Sequence, residues 1–289
     1  MFNEFHNRIK EYFELIKFEH TLFALPFALS GMLLAAKGFP SAQTVFLVIL
    51  AMVSGRTMAM ALNRVIDADI DALNPRTAQR AIPAGRIKRR SALLLAILSL
   101  AVMVGAVIPL PSICLNLLPL AVGVLVLYSY TKRFTRFSHF VLGSALGAGA
   151  AGGWLAVSGE ITAPVVLWGL AVMFWVAGFD VVYAIQDIEF DRVHKLFSIP
   201  AVLGVDKSLV LARYFHLTTM ILLVLMGFLI NAGVSYLLAL IFAALMLKYE
   251  HSIITGNDLI KLNTAFFDIN AYVSTGLFLF ILIGKFFHL

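Results

Sequence analysis

Charge is scarce in this chain. Asp, Glu, Lys and Arg together make up 13% of its 289 residues, against ~25% in an ordinary soluble domain. So few charged side chains cannot cover a water-facing surface, which excludes a soluble enzyme or carrier of this size. There is one cysteine, Cys114, so an intramolecular disulfide framework is excluded as well. No secretory leader is expected, because residues 1–17 are charged and no A-x-A-like site follows the first apolar run. No linker, low-complexity tract or shift in composition divides the sequence, and residues 1–289 read as a single domain.

Apolar side chains fill the space that charge leaves, at 61% of the residues. Several runs of about 20 residues carry no charge, the length needed to cross ~30 Å of hydrocarbon. The pattern predicts an all-α integral membrane protein with nine spans, over 18–36, 42–66, 91–109, 113–130, 139–157, 164–186, 209–230, 234–248 and 266–287. Pro26 should kink the first span, and His20 near its mouth reads as an interface residue. Residues 2–16 have the spacing of an amphipathic helix on the membrane surface. With the N-terminus in the cytoplasm, Lys and Arg fall overwhelmingly on one side, and the opposite side keeps only Lys37 and Lys285. The net charge of +6 is therefore topology and attraction to anionic lipid headgroups. Its carriers are spread over separate loops, which argues against a nucleic-acid partner.

Two stretches stand out from this background. The first, Arg56 to Gly85, places Asn63, Asp67 and Asp71 four residues apart. At ~100° per residue they advance only ~40° per step and share one helical face. Arg56, seven residues before Asn63, lies on the same stripe ~10.5 Å deeper. A cation at that depth is expensive unless it is paired or faces a cavity. Arg76 and Arg80 follow between the turn signals Asn74-Pro75 and Pro83-Ala84-Gly85, and the run Arg86, Lys88, Arg89, Arg90 reads as a plain cytoplasmic anchor. The second stretch ends span six with Asp180, Tyr183, Asp187 and Asp191 on one narrow stripe, whereas Asp69 and Glu189 point away from their stripes into solvent. Lys132 and Arg133, between spans four and five, could reach an anion at the same mouth. Five glycines from Gly143 to Gly153 read as a close-packing stripe.

Two carboxylate clusters facing each other repel unless cations lie between them. Mg²⁺ suits such a place, since it takes one or two carboxylates and completes its shell with water and substrate phosphates. The residues thus predict a metal–diphosphate clamp at the mouth of an apolar cavity, and an isoprenyl diphosphate has the matching chemistry. The rival from another class is a cation-coupled transporter, but transporters hold such sites near the bilayer midplane on broken helices.

At these residues the chain resembles the UbiA superfamily of intramembrane prenyltransferases, most closely its 4-hydroxybenzoate polyprenyltransferase branch. The likeness runs over nearly the whole length. The family's N-D-x-x-D-x-x-x-D motif is matched by Asn63, Asp67 and Asp71, with Arg64 in place of the usual second-position aspartate. Its D-x-x-x-D motif with a preceding tyrosine is matched by Tyr183, Asp187 and Asp191, and its Y-x-x-x-K-R-x-T phrase by Tyr128, Lys132, Arg133 and Thr135. The continuation NPRTAQRAIPAG resembles a menaquinone-associated branch. The resemblance implies nine helices in a ring around a central cavity, with Mg²⁺ the only cofactor, held by Asn63, Asp67, Asp71, Asp187 and Asp191. Arg76, Lys132, Arg133, Tyr183 and Lys195 are then expected on the polyprenyl diphosphate, and Arg56, from its depth on the same stripe, on the carboxylate of an aromatic acid acceptor. The expected setting is the bacterial inner membrane with the site on its cytoplasmic side, the partners being lipid and the two substrates, with no obligate protein partner. Same-fold alternatives differ in acceptor: a dihydroxynaphthoate, another benzoate or a haem vinyl group.

Overall fold

The computed structural model describes residues 10–17, 21–254 and 265–288; His20, residues 2–9 of the expected surface helix and the start of the first expected span lie outside them. Among the described residues all regular structure is helical. The main helices are α1 (Thr21–Ala35), α2 (Ala42–Ile66), α3 (Ala68–Leu73), α4 (Arg89–Val107), α5 (Ser112–Thr131), α6 (Ser138–Ser158) and α7 (Ala163–Ala184). They continue with α8 (Ile188–Val193), α9 (Ile199–Leu203), α10 (Val205–Leu229), α11 (Val234–Ile253) and α12 (Asn270–Phe287). Eight of these elements are long and apolar enough to cross a membrane, and α1 is a shorter apolar helix. Leucines and phenylalanines on their outer faces remain exposed, for example Leu120, Leu127 and Phe228, as lipid-facing surfaces require.

The helices follow one another around a closed circuit: α2 meets α5, α5 meets α6, α6 meets α7, then α10, α11 and α12 follow, and α12 returns to α1. The largest apolar core lies beside α7, where Trp168 and Trp175 are almost wholly buried. Phe27 of α1 packs on Trp175 with ring centroids 4.6 Å apart. The expected eighth span stops at 248, but α11 runs to Ile253. Its last turn carries Glu250, wholly buried, and His251, which meets His216 of α10 at 2.9 Å. Charge there marks a polar contact between helices rather than a helix end.

The glycine stripe of α6 performs the packing expected of it. A Cβ at Gly153 would collide with the Ala28 carbonyl of α1, and one at Gly143 or Gly147 with carbonyls of Met173 or Gly169 on α7. A Cβ at Gly152 would meet nothing within 4 Å. Gly153→Ala should therefore cost about 1–3 kcal/mol through overpacking and lower the melting midpoint in detergent by several degrees. Gly152→Ala should leave that midpoint unchanged, and an equal drop in both variants would refute the packing account.

Candidate active site

Both chemical stretches break their helices beside an aspartate, Asp67 in the first and Asp187 in the second. Helix α2 ends at Ile66, and Asp67 (φ −92°, ψ 2°) turns the chain into the short α3. Helix α7 ends at Ala184, passes through a 3₁₀ turn over Ile185–Asp187 and resumes as α8. Neither stripe is one straight helix, yet both breaks keep their carboxylates on the same wall. Asn63, Asp67, Asp71, Asp180, Asp187 and Asp191 all line a single cavity of about 440 Å³. Arg56, Arg76, Lys132, Arg133 and Tyr183 line it as well.

The loop after α3 is shaped by its own side chains. Asn74 Oδ1 accepts from the Arg76 N–H at 2.9 Å, an Asx turn, and Thr77 Oγ1 donates to the Asp71 carbonyl at 2.9 Å. Buried Ala81, Ile82 and Ile87 anchor the rest of it. This loop delivers Arg76 across the cavity, where Nε and Nη2 grip the two oxygens of Asp187 at 2.9 and 2.6 Å. Asn74 Nδ2 adds a bond to Asp187 at 3.3 Å, and Arg76 Nη1 reaches the Tyr183 hydroxyl at 3.2 Å. Arg80 Nη1 donates to both oxygens of Asp71, at 2.7 and 2.8 Å. Arg133 Nη2 reaches Asp67 at 3.1 Å, whose other oxygen accepts from Asn63 Nδ2 at 2.7 Å.

Three of the four motif aspartates are thus held by guanidinium groups, and the fourth, Asp191, accepts from Ser198 Oγ at 2.8 Å. Burial pushes the Asp67 carboxyl above the usual range, against the pull of Arg133 and Asn63. Burial also works against the charge of Arg76, but Asp187 outweighs it and holds that guanidinium above its ordinary value. As a donor set, four carboxylates and an amide are all hard oxygen ligands of the kind Mg²⁺ takes. Among the described residues no three of them already converge on one point. The set fits a divalent ion whose shell substrate phosphates complete, not a closed protein cage.

Arg56 reaches the same cavity from deeper in α2. Its Nε is buried and has no hydrogen-bond partner, and no ion pair engages it among the described residues. Lys195 is the expected site residue that the structure leaves out. It adopts φ 55° after α8, is exposed, and does not line the cavity. The left-handed backbone there turns the chain toward Ser198.

Arg64, at the position where the motif usually has an aspartate, is buried beside the cluster. Its Nη1 lies 3.9 Å from Asp71 and its Nε donates to the Leu15 carbonyl at 3.3 Å. The basic run after the loop is more than an anchor: Arg86 pairs with Glu11 and Glu14, and Arg89 with Asp69. Asp69 and Glu189 are exposed as expected. Sequence reasoning missed His139, which is wholly buried with Nδ1 2.7 Å from Asp180 Oδ2. A histidine at the start of a span, where positive charge was the visible pattern, is its only trace in the sequence.

The sequence model of the UbiA prenyltransferase family matches residues 24–276. A curated relative, the 4-hydroxybenzoate octaprenyltransferase of Yersinia enterocolitica, is 28% identical over 287 residues, covering 98% of each chain. The apo structure of a UbiA homologue from Aeropyrum pernix superposes with a TM-score of 0.83 at 32% identity, over 92% of this chain and 98% of that one. A UbiA homologue from Archaeoglobus fulgidus, solved bound to DMAPP and Mg²⁺, superposes at 0.74 with 21% identity, over 94% of this chain and 99% of that one.

Proposed function

The chain belongs to the UbiA prenyltransferase family, and from that premise we propose that it transfers a polyprenyl group from its diphosphate to an aromatic acid such as 4-hydroxybenzoate, in quinone (ubiquinone or menaquinone) biosynthesis. The observation that carries this reading is the layout of the cavity of about 440 Å³. Its mouth has aspartates and arginines in pairs, and behind them stands an arginine whose buried Nε has no hydrogen-bond partner among the described residues. A diphosphate suits the first arrangement and a carboxylate the second.

Asp67, Asp71, Asp187 and Asp191, with Asn63, would hold Mg²⁺ on the diphosphate. Bound there, the ion would neutralise the charge of the leaving group. Arg76, Arg80 and Arg133 are free to help only if they release their aspartates, so substrate binding is an exchange of partners. The guanidinium groups turn from carboxylate to phosphate and stabilise charge as the C–O bond ionises. Lys132, on the same wall, adds a further positive charge, and Tyr183 orients the diphosphate through its hydroxyl. The allylic cation so formed is attacked by the ring carbon ortho to the acceptor's hydroxyl. Arg56 grips the acceptor's carboxylate and sets which ring edge meets the cation. The setting that fits this chemistry is the bacterial inner membrane, with the mouth toward the cytoplasm where a soluble aromatic acid arrives.

Purified protein in detergent with Mg²⁺, offered mixed prenyl diphosphates and a panel of aromatic acids, should give a product whose mass is acid plus prenyl minus one hydrogen. Transfer to none of the acids, with diphosphate still bound, would overturn the acceptor assignment.

A further inference from the structure

Asp71 is the most heavily countered of the four motif aspartates. Arg80 Nη1 donates to both of its oxygens at 2.7 and 2.8 Å, and Arg64 Nη1 stands 3.9 Å from Oδ2. Asp67 and Asp187 each bond to one guanidinium, and Asp191 bonds to a serine hydroxyl. The two cations around Asp71 differ in freedom. The Arg80 side chain is 27% exposed and can swing toward an incoming phosphate. The Arg64 side chain is only 8% exposed, and its Nε is tied to the Leu15 carbonyl at 3.3 Å. Leu15 is itself buried in one apolar cluster with Met58, Ala61 and Ala68. Arg86 pins the same early segment through Glu11 and Glu14. Arg64 is therefore a positive charge that stays where it is when ligands arrive.

That charge is presented to the cavity. Arg64 lines it, and beyond the Nε bond its guanidinium makes no hydrogen bond among the described residues. Arg76, Arg80 and Arg133 must each let go of an aspartate before they reach a phosphate. Arg64 offers its remaining donors without breaking any hydrogen bond. A fixed guanidinium attracts phosphate oxygens and repels a metal ion at the carboxylate beside it. Mg²⁺ takes one or two carboxylates, so four aspartates suffice in number for two ions clamped on one diphosphate. Arg64 alters that count. It stands where the motif usually has an aspartate, and an exchange of aspartate for arginine adds two positive charges, the charge of one divalent ion.

We propose that Arg64 takes the place of a metal ion: the chain binds a single Mg²⁺ with each prenyl diphosphate, and the Arg64 guanidinium supplies the other fixed positive charge. This role rests on the prenyl-diphosphate reading given above and narrows its ligand set. Asn63, Asp67, Asp187 and Asp191 hold the ion. Asp71 holds Arg64 and Arg80 to the cavity wall and touches no metal.

Counting bound metal tests this, with the whole protein in detergent and farnesyl S-thiolodiphosphate as a slow-reacting substrate. Mn²⁺ titrated into that mixture, with the free ion followed by its EPR signal, should saturate at one ion per chain. Arg64→Asp, which restores the motif's usual residue, should take up two. Arg64→Met should still take up one, while its Kd for the thiolodiphosphate rises about tenfold or more, the weight of a lost charge-assisted contact. Asp71→Asn provides a second measurement should Arg64→Asp fail to fold. Its count should stay at one and its Kd for Mn²⁺ within about twofold of wild type, whereas Asp187→Asn should raise that Kd about tenfold or more. Two ions in the wild type, one ion in a folded Arg64→Asp, or equal loss of Mn²⁺ affinity in Asp71→Asn and Asp187→Asn overturns the proposal. In each of those cases the thiolodiphosphate still binds the wild type, and the prenyl-transfer reading stands. A wild-type protein that binds no thiolodiphosphate at any Mn²⁺ concentration defeats that reading, and this role with it.

Discussion

Asp67→Asn and Asp187→Asn should each lower prenyl transfer by at least 100-fold, the scale seen when one preorganised electrostatic contact to a developing charge is lost. The two residues occupy corresponding places, each at the point where its helix breaks. Each carboxylate is already within reach of a cation, Arg133 at 3.1 Å and Arg76 at 2.6 Å, and an amide cannot replace that charge. Asparagine keeps the size and one acceptor oxygen, so the melting midpoint in detergent should move far less than activity. EDTA should silence the wild type, and added Mg²⁺ should restore it. Full turnover in chelator, or in both asparagine variants, would remove the metal–diphosphate clamp from the mechanism.

The second large effect is expected at Arg56. An arginine buried at Nε without a partner costs stability in the unliganded protein. Arg56→Met should therefore leave the melting midpoint unchanged or raise it, while transfer to the aromatic acid collapses. Arg56→Lys is the sharper test, because it keeps the charge and loses the planar fork that matches a carboxylate. Losing a charge-assisted pair of about 1.5–3 kcal/mol corresponds to roughly a 10- to 150-fold rise in the acceptor's apparent KM. The KM for prenyl diphosphate should barely move. If the defect falls on the diphosphate instead, Arg56 belongs to the mouth and the acceptor must bind elsewhere.

What could be read from the sequence was whatever depends on local spacing. Hydropathy located the spans because a bilayer imposes one length on every crossing. The four-residue spacing of Asn63 and Asp67 held, and the two bond to each other at 2.7 Å. The continuous stripes did not hold as helices: Asp67 and the 3₁₀ turn before Ile188 interrupt them. A break of one residue in the first stretch and of a three-residue turn in the second still leaves both carboxylate sets lining the cavity. Long-range pairing could not be read. Arg76 meets Asp187 and His139 meets Asp180 across 111 and 41 residues, and nothing in either neighbourhood announces the partner. Lys195 shows the opposite failure, since charge and proximity in sequence suggested the site and a single left-handed residue turned it away.

The bond from Arg64 to the Leu15 carbonyl has a consequence for how the chain is assembled. Leu15 leaves the ribosome well before the surface it rests on, because Arg64 follows it by 49 residues and Arg86 follows Glu14 by 72. At ~5–20 residues per second of synthesis, the early segment waits several seconds for its seat. The chain's beginning thus closes over a part that was made later, and the mouth of the cavity is finished out of sequence order. A bulky fusion close to Leu15 would act at that moment of biogenesis, by delaying the closure, because Glu14, Leu15 and Lys17 themselves line the cavity being closed.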